Sequence, residues 1–249
     1  MVAKRRLRRV KRKPRRPVFR ILFLIILGSL SLFYFIQSPF WEVETVMTEG
    51  NEFVSEEELI RLADIPPALN IFKVDLNRSK ENILLHPLVK NVELTRKLPR
   101  QILITIEERT PVALLPSTEG FCQVDEQGYI LRHVPAVSDV DLPLITGLAL
   151  EKSHPGYQIT SPQLEEAIKL VTLFTPALKE QVAEIDLSHD DTIYLHTVEG
   201  IQVNFGNAER VEEKAALMGE ILAAATVNKS KLEYIDVSFG GSPVVKYAQ

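Results

Sequence analysis

Residues 92–106, Val92-Glu-Leu-Thr-Arg-Lys-Leu-Pro-Arg-Gln-Ile-Leu-Ile-Thr-Ile106, decide the fold of the first half of the chain. Apolar residues alternate with polar ones on both sides of a turn at residues 97–100: Val92 and Leu94 before it, and Ile102, Ile104 and Ile106 after it. Alternation places the apolar side chains on one face of each β-strand. The stretch therefore predicts a β-hairpin with one face in a hydrophobic core.

A strand and two helices are predicted upstream of this hairpin. Residues 42–48 are β-prone, and Ser55 begins the capping-box pattern Ser-Glu-Glu-Glu at the start of a helix that Pro66-Pro67 ends. A second helix is expected at residues 78–85. The order strand, helix, helix, strand, strand predicts a small α+β module at residues 42–114, with both helices packed on one face of its sheet.

A second, mixed β-rich domain with two helices is predicted at residues 119–249. Its helices are expected from Pro162, with Ser161 as N-cap, and at residues 208–225. β-prone stretches bounded by turn residues predict strands at residues 121–124, 129–134, 182–187, 192–198, 201–205, 233–239 and 244–247. Because the last two strands close the chain, we expect one of them at the edge of a sheet.

An apolar run at residues 21–36 follows a basic arm, residues 1–20, that carries eleven Lys and Arg residues and no acidic one. Counted from Val18, with Arg20 snorkelling, the run extends ~28 Å as a helix, close to the ~30 Å core of a bilayer. Lys and Arg are retained on the cytoplasmic side of a membrane helix. The sequence predicts a cytoplasmic arm, one transmembrane helix at residues 21–38 and an exported remainder.

The main alternative for this N-terminal region is a cleaved signal peptide, which also combines a basic segment with an apolar one. The apolar run is long, it ends in the aromatic stretch Phe33-Tyr-Phe, and no Ala-x-Ala-like cleavage site follows it. We therefore interpret the run as a retained anchor in the plasma membrane.

The exported remainder has a charge opposite to that of the arm. The chain has 29 basic and 33 acidic residues, so removing the eleven basic residues of the arm leaves 18 against 33, a net charge of −15. Such a domain repels nucleic acid, and no nucleic-acid partner is expected. The arm instead favours anionic plasma membrane lipids, at ~1 kcal/mol per charge near the surface. The single cysteine, Cys122, excludes an intrachain disulfide, which fits a bacterial envelope.

The sequence contains no recognisable catalytic, metal-binding or cofactor-binding pattern. The five histidines lack ligand spacing, and no phosphate-binding loop is present. Ser188-His189-Asp190 contains the letters of a catalytic triad, but consecutive residues at a turn cannot adopt the relay geometry. Cys122 lies in an alternating apolar stretch and is interpreted as a core residue. We expect no enzyme and no cofactor; an exported hydrolase using Cys122 or Ser188 is the enzymatic alternative.

Short motifs along the chain, taken together in their order and spacing, carry a family resemblance. In the first module they are Val46-Met-Thr-Glu-Gly-Asn51, Asn70-Ile-Phe-Lys-Val-Asp-Leu76, His86-Pro-Leu-Val89, Leu98-Pro-Arg100 and Ile106-Glu-Glu-Arg-Thr-Pro-Val-Ala113. These closely resemble the POTRA domain (β-α-α-β-β) of the FtsQ/DivIB cell-division family. Asp125-Glu-Gln-Gly128, Leu142-Pro-Leu-Ile-Thr-Gly147 and Tyr234-Ile-Asp-Val237 resemble the β domain that follows POTRA in that family.

The resemblance implies a non-enzymatic, single-pass scaffold of the bacterial divisome, located at the division septum. Relatives bind the division proteins FtsL and FtsB (or DivIC), chiefly through the β domain, whose last strand pairs with a strand of the partner. Other divisome components are further possible partners. Carried over to residues 234–247 of this chain, the resemblance implies partner binding by Tyr234, Asp236, Phe239, Gly241, Val244 and Tyr247. Pro243 lacks an N–H and removes one possible ladder hydrogen bond.

Two further expectations concern this C-terminal segment and the class of protein. Ile235, Val237 and Val245 are expected to fill the core rather than to contact a partner. The rival function is a POTRA-type chaperone or assembly module for exported or outer-membrane proteins. An outer-membrane insertion role would require a transmembrane barrel of ~8 or more strands, which about 130 residues with two soluble-type helices do not provide.

Overall fold

The computed structural model describes residues 16–137, 141–150, 152–189, 192–228, 231–239 and 242–247. Most of the basic arm, residues 1–15, and the predicted partner-binding residue Gly241 lie outside the described residues. The described strands form two sheets, one of three strands and one of nine. A mixed α+β architecture with an N-terminal apolar helix followed by two modules confirms the predicted fold class.

The N-terminal helix, α1, spans Arg16–Ile36. Its segment Val18–Ile36 is long and apolar enough to cross a membrane, and none of it is buried inside the protein. A short 3-10 turn, Pro39–Trp41, connects α1 to the first module.

The first module has the predicted order of elements: β1 Thr45–Glu49, α2 Glu56–Ala63, α3 Leu76–Leu84, β2 Val89–Lys97 and β3 Gln101–Glu108. The sheet order is β1-β3-β2, with β1 parallel and β2 antiparallel to β3.

Ser55 caps α2, because its hydroxyl accepts from the Glu58 N–H at 3.2 Å. The second half of the predicted capping box is not formed, since the Glu58 carboxylate accepts from Arg61. The helices cover the apolar face of the β2–β3 hairpin, with Ile104 fully buried.

Gly50 shows why the loop after β1 needs a residue without a side chain. Its φ is +84°, and a Cβ atom there would lie 2.2 Å from the carbonyl oxygen of Ile106. Glu108 stabilises the same loop, because its carboxylate accepts backbone N–H groups at residues 52–54 over 2.9–3.2 Å. The loop is therefore held against the end of β3.

The second module is built on the nine-stranded sheet. Its strands are β4 Pro111–Ser117, β5 Gly120–Asp125, β6 Ile130–Val134, β7 Leu144–Thr146, β8 Val182–His189, β9 Thr192–Thr197, β10 Gln202–Gly206, β11 Leu232–Asp236 and β12 Val244–Tyr247. The order is β12-β11-β10-β9-β8-β7-β4-β5-β6. β8, β9 and β10 form an antiparallel meander. β11 then returns parallel to β10.

Among the described residues of this module there are three helices, one more than expected: α4 Pro162–Leu173, α5 Pro176–Gln181 and α6 Val211–Asn228. Pro176 lies just beyond the end of α4 and is also the first residue of α5. The Thr175 hydroxyl accepts from the Leu178 N–H at 3.3 Å, so a new N-cap follows α4 directly. Proline at the first helical position is compatible with this start because its missing N–H would have no helical partner.

β4 is absent from the predicted strands. Ala113, Leu114 and Leu115 are all fully buried, so the strand is covered on both faces and lacks the alternation by which a half-exposed strand is detected. β4 pairs with β5 and β7, and the chain thus passes from the first sheet to the second between Glu108 and Pro111.

Candidate partner-binding site

β12 is the outermost strand of the nine-stranded sheet. It pairs with β11 in antiparallel register, with Val244 opposite Asp236, Val245 opposite Ile235 and Tyr247 opposite Leu232. No strand lies on its other side within the described ranges. The edge position expected for one of the last two strands is confirmed. An edge strand presents backbone N–H and C=O groups that can pair with a strand from another chain.

A continuous apolar row crosses the sheet and ends at this edge. Its fully buried members, in adjacent register on β7 to β11, are Ile145, Ile185, Leu195, Val203 and Ile235. The next residue in the row is Val245 on β12, which is only half-buried. Ile235 and Val237 are buried, as expected for core residues. Val245 lies on the same face, but it is only half-buried because no further strand covers it among the described residues.

The hairpin leaves several apolar side chains exposed around the edge. Val244, on the sheet face opposite Val245, is 60% exposed. Tyr247 at the end of β12 and Phe239 between the two strands are also exposed. Lys246 forms an ion pair with Glu233 across the hairpin at 2.8 Å. The edge thus combines apolar surface on both faces with a charged pair.

Asp236 holds the start of the hairpin in place. One carboxylate oxygen accepts from the Ser238 N–H at 2.9 Å and from the Ser238 hydroxyl at 2.6 Å. The other accepts from Asn204 Nδ2 and from the Tyr234 hydroxyl, both at 3.1 Å. Burial acts to raise the pKa of Asp236, but these hydrogen bonds together outweigh it and the pKa lies below its ordinary value. Burial, with the bond to Asp236, raises the pKa of Tyr234.

The predicted partner-binding residues therefore divide into two groups. Phe239, Val244 and Tyr247 are exposed at the edge, whereas Tyr234 and Asp236 bond to each other and brace β11 against β10. Gly241 belongs to the connection at residues 240–241, outside the described residues. The role of all six in binding stays a prediction. Sequence reasoning missed the position of Val245 at the end of the core row, which only the strand register reveals.

Cys122 and the segment Ser188-His189-Asp190 are the groups considered for catalysis, and Asp190 lies outside the described residues. Cys122 is fully buried, and this burial raises the pKa of its thiol, which disfavours the nucleophilic thiolate. The Ser188 hydroxyl donates to Asp186, whereas His189 lies 3.6 Å from the other oxygen of that carboxylate. Over the described residues, no group of three or more His, Cys, Asp and Glu side chains is arranged to hold a metal ion.

Comparison with known families covers both modules. The family model described as POTRA domain, FtsQ-type, matches residues 42–109, and the one described as cell division protein FtsQ/DivIB, C-terminal, matches residues 113–238. The chain belongs to the FtsQ/DivIB family. It is 25% identical over 240 residues to a cell division protein DivIB of Clostridium botulinum, covering 95% of this chain and 93% of that one. It is 26% identical over 213 residues to a cell division protein FtsQ of Syntrophotalea carbinolica, covering 84% and 75% of the two chains.

Among solved structures, the major extracytoplasmic domain of the trans isomer of DivIB from Geobacillus stearothermophilus is similar to part of the chain. The match has a TM-score of 0.36 and 16% identity, and it covers 49% of this chain and 98% of that one.

Membership of the FtsQ/DivIB family assigns the protein to cell division, in a family of non-enzymatic scaffolds. With the apolar helix α1, it is a membrane-anchored component of the divisome. The match of the second module to the FtsQ/DivIB C-terminal domain favours this role over that of an assembly module for outer-membrane proteins.

Proposed function

We propose that the protein is a non-catalytic scaffold that binds single-span division proteins of the FtsL and FtsB/DivIC type, and thereby helps to assemble or regulate septal cell-wall synthesis. Binding occurs when a partner strand pairs with the outer edge of β12. The observation that carries this proposal is the half-buried Val245 at the end of an otherwise buried cross-strand row.

A partner strand added beside β12 extends the sheet and makes contacts on both of its faces. It lies ~4.8 Å from β12, so an apolar side chain of the partner covers Val245 and extends the core row. On the opposite face the next partner residue covers Val244, which is exposed in the free protein. Backbone hydrogen bonds supply affinity, and the two side-chain rows select the partner sequence.

The topology brings this edge to the partners. Basic residues concentrate before α1, and the positive-inside preference keeps that end in the cytoplasm. Both modules are then exported and remain tethered to the outer face of the plasma membrane. At the septum they meet the exported parts of partners that are themselves anchored by single helices.

The contribution of Val244 sets the size of the expected effect. Full burial of a Val side chain is worth ~1.5–3 kcal/mol, so the 60% that is exposed corresponds to about 1–2 kcal/mol. That range is a factor of about 5–30 in Kd. Val244→Lys removes the apolar contact and places a charge at the outer edge, while the new side chain faces Asp236 across the hairpin and preserves folding.

The test measures binding of an FtsL–FtsB-type complex to the full-length protein in nanodiscs by biolayer interferometry. Val244→Lys is expected to weaken binding by at least about 5-fold. Val198→Lys is the matched control, because Val198 is also exposed but follows β9, which is separated from β12 by two strands. Equal affinities of wild type and Val244→Lys would overturn the proposed edge, and absence of a fluorescent fusion from the septum would overturn the proposed location.

A further inference from the structure

A face of the first module borders the end of α1. The chain leaves α1 at Ile36 and passes between two loops, residues 69–73 and the β2–β3 turn at residues 97–100. The Val43 N–H donates to the Leu69 carbonyl at 2.9 Å, and the Glu44 N–H donates to the Arg100 carbonyl at 2.9 Å. Both loops therefore lie at the end of the module that is nearest the membrane. We refer to them, with residues 37–44, as the membrane-proximal face.

An aromatic chain runs from the last turn of α1 into this face. Ring centroids of Phe35 and Trp41 are 5.6 Å apart, those of Phe40 and Trp41 are 4.9 Å apart, and those of Trp41 and Phe72 are 5.2 Å apart. Phe72 is 47% exposed and Leu98, in the β2–β3 turn, is 57% exposed. Aromatic residues are favoured at a membrane interface, where one part of the ring system meets the apolar layer.

Side-chain hydrogen bonds connect the two loops to each other and to the end of α1. Arg96, near the end of β2, donates to the carbonyls of Ile71 and Val74 at 2.8 and 2.7 Å, which ties the first loop to the strand that leads into the β2–β3 turn. Asn70 accepts from the Phe72 N–H at 3.0 Å, and its amide donates to the Ile36 carbonyl at 2.6 Å. The module is thus hydrogen-bonded to the end of α1 itself.

The membrane-proximal face carries three basic residues, Lys73, Lys97 and Arg100, against two acidic ones, Glu42 and Glu44, whereas the exported part as a whole has an excess of acidic residues. Lys73 and Lys97 are exposed beside Phe72 and Leu98, and neither forms an ion pair with another described residue. Arg100 pairs with Glu44 at 2.8 Å. Basic side chains next to exposed apolar ones are suited to a surface of anionic lipid headgroups.

We propose that the membrane-proximal face docks on the outer surface of the bilayer that α1 crosses, with Phe72 and Leu98 in the interfacial layer and Lys73 and Lys97 on anionic headgroups. Docking fixes the direction in which the first module, and the second module beyond it, leaves the membrane. The inference depends on the membrane anchor and is independent of partner binding at β12.

The test uses the full chain with Cys122→Ala, reconstituted in nanodiscs of phosphatidylcholine with or without phosphatidylglycerol. Nitroxide labels are attached to Phe72→Cys, Leu98→Cys and, as a control, Leu85→Cys. Leu85 is an exposed apolar residue that follows α3 and precedes the start of β2, whereas the β2–β3 turn follows the other end of that strand. Power saturation then compares the accessibility of each label to oxygen, which partitions into the bilayer, and to a nickel chelate, which stays in water.

Docking predicts a shift toward oxygen accessibility for the labels at positions 72 and 98, and nickel accessibility for the label at position 85. The shift is expected to be larger with phosphatidylglycerol, and Lys73→Gln with Lys97→Gln to abolish that difference. Nickel accessibility at all three positions in both lipids would overturn docking, and an equal shift in both lipids would overturn the role of the lysines. Unchanged circular dichroism of each labelled chain confirms folding.

Discussion

The junction between the two modules contains a buried ion pair whose removal has a calculable consequence. Arg109, between β3 and β4, donates to Asp125 at the end of β5 over 2.5 Å, and the two side chains are only 11% and 2% exposed. The guanidinium carbon lies 3.8 Å from the centre of the Tyr129 ring. The backbone N–H of Arg109 donates to the Leu88 carbonyl at 2.8 Å. We predict that Arg109→Met destabilises the protein strongly.

The magnitude follows from what the substitution leaves behind. One oxygen of Asp125 accepts the N–H groups of Gln127 and Tyr129 at 2.9 and 2.8 Å, whereas the other accepts from Arg109. Removing one partner of a buried pair leaves an uncompensated charge, at a cost of about 3–5 kcal/mol. Since a domain has a free energy of unfolding of about 5–15 kcal/mol, this is a large fraction of the total.

A double-mutant cycle in urea separates the pair from general damage. Asp125→Asn keeps an oxygen for the turn and removes the charge, so combining it with Arg109→Met is expected to recover about 1–3 kcal/mol as coupling energy. The control is Arg78→Met, because Arg78 pairs with Asp64 at 3.3 Å with both side chains mostly exposed. That change is expected to cost no more than about 1 kcal/mol. If Arg109→Met costs as little as the control, or if the cycle shows no coupling, the reasoning is refuted.

Two further predictions concern single carboxylates. The pKa of Asp236 in the folded protein lies below the ordinary value of 3.8. The ionised carboxylate therefore stabilises the fold fully at pH values above 3.8, and this stabilisation is lost as the pH falls through the folded pKa. The difference in melting temperature between wild type and Asp236→Asn should therefore shrink between pH 7 and pH values below about 3.8, and a constant difference would contradict it. Glu108→Ala removes the acceptor of the N–H groups at residues 52–54, which are mostly exposed, and should cost about 0.5–1.5 kcal/mol, with faster hydrogen exchange in that loop; unchanged exchange at those amides would disprove this.

The elements predicted correctly are those specified by local signals. The β2–β3 hairpin follows from alternation in residues 92–106, and α2 and α4 begin at the predicted caps Ser55 and Ser161. Each signal spans a few residues and depends on their side chains and the local backbone geometry. For the same reason the element order of the first module could be predicted from the sequence.

The pairing of distant strands required the structure. β4 is buried on both faces and lacks alternation, and its neighbour β7 lies about thirty residues away along the chain. β11 lies parallel to β10 only because α6 intervenes, so no turn signal indicates their register. The position of Val245 at the end of the core row depends on that register. The candidate edge was therefore predictable as a segment, but its apolar row was not.

The two edges of the nine-stranded sheet differ in a way that supports partner binding at one of them. Beside β6, the Ile130 N–H donates to the Tyr157 carbonyl and the Ile130 carbonyl accepts from Gly156, so the chain's own residues cover the start of that edge. β12 has no such cover in the described part of the chain. Uncovered edges promote aggregation unless charged residues, prolines or short strands limit pairing, and β12 is four residues long, follows Pro243 and carries Lys246. These features discourage indiscriminate pairing, so the proposed complex at this edge requires a partner strand that matches Val244 and Val245 on both faces.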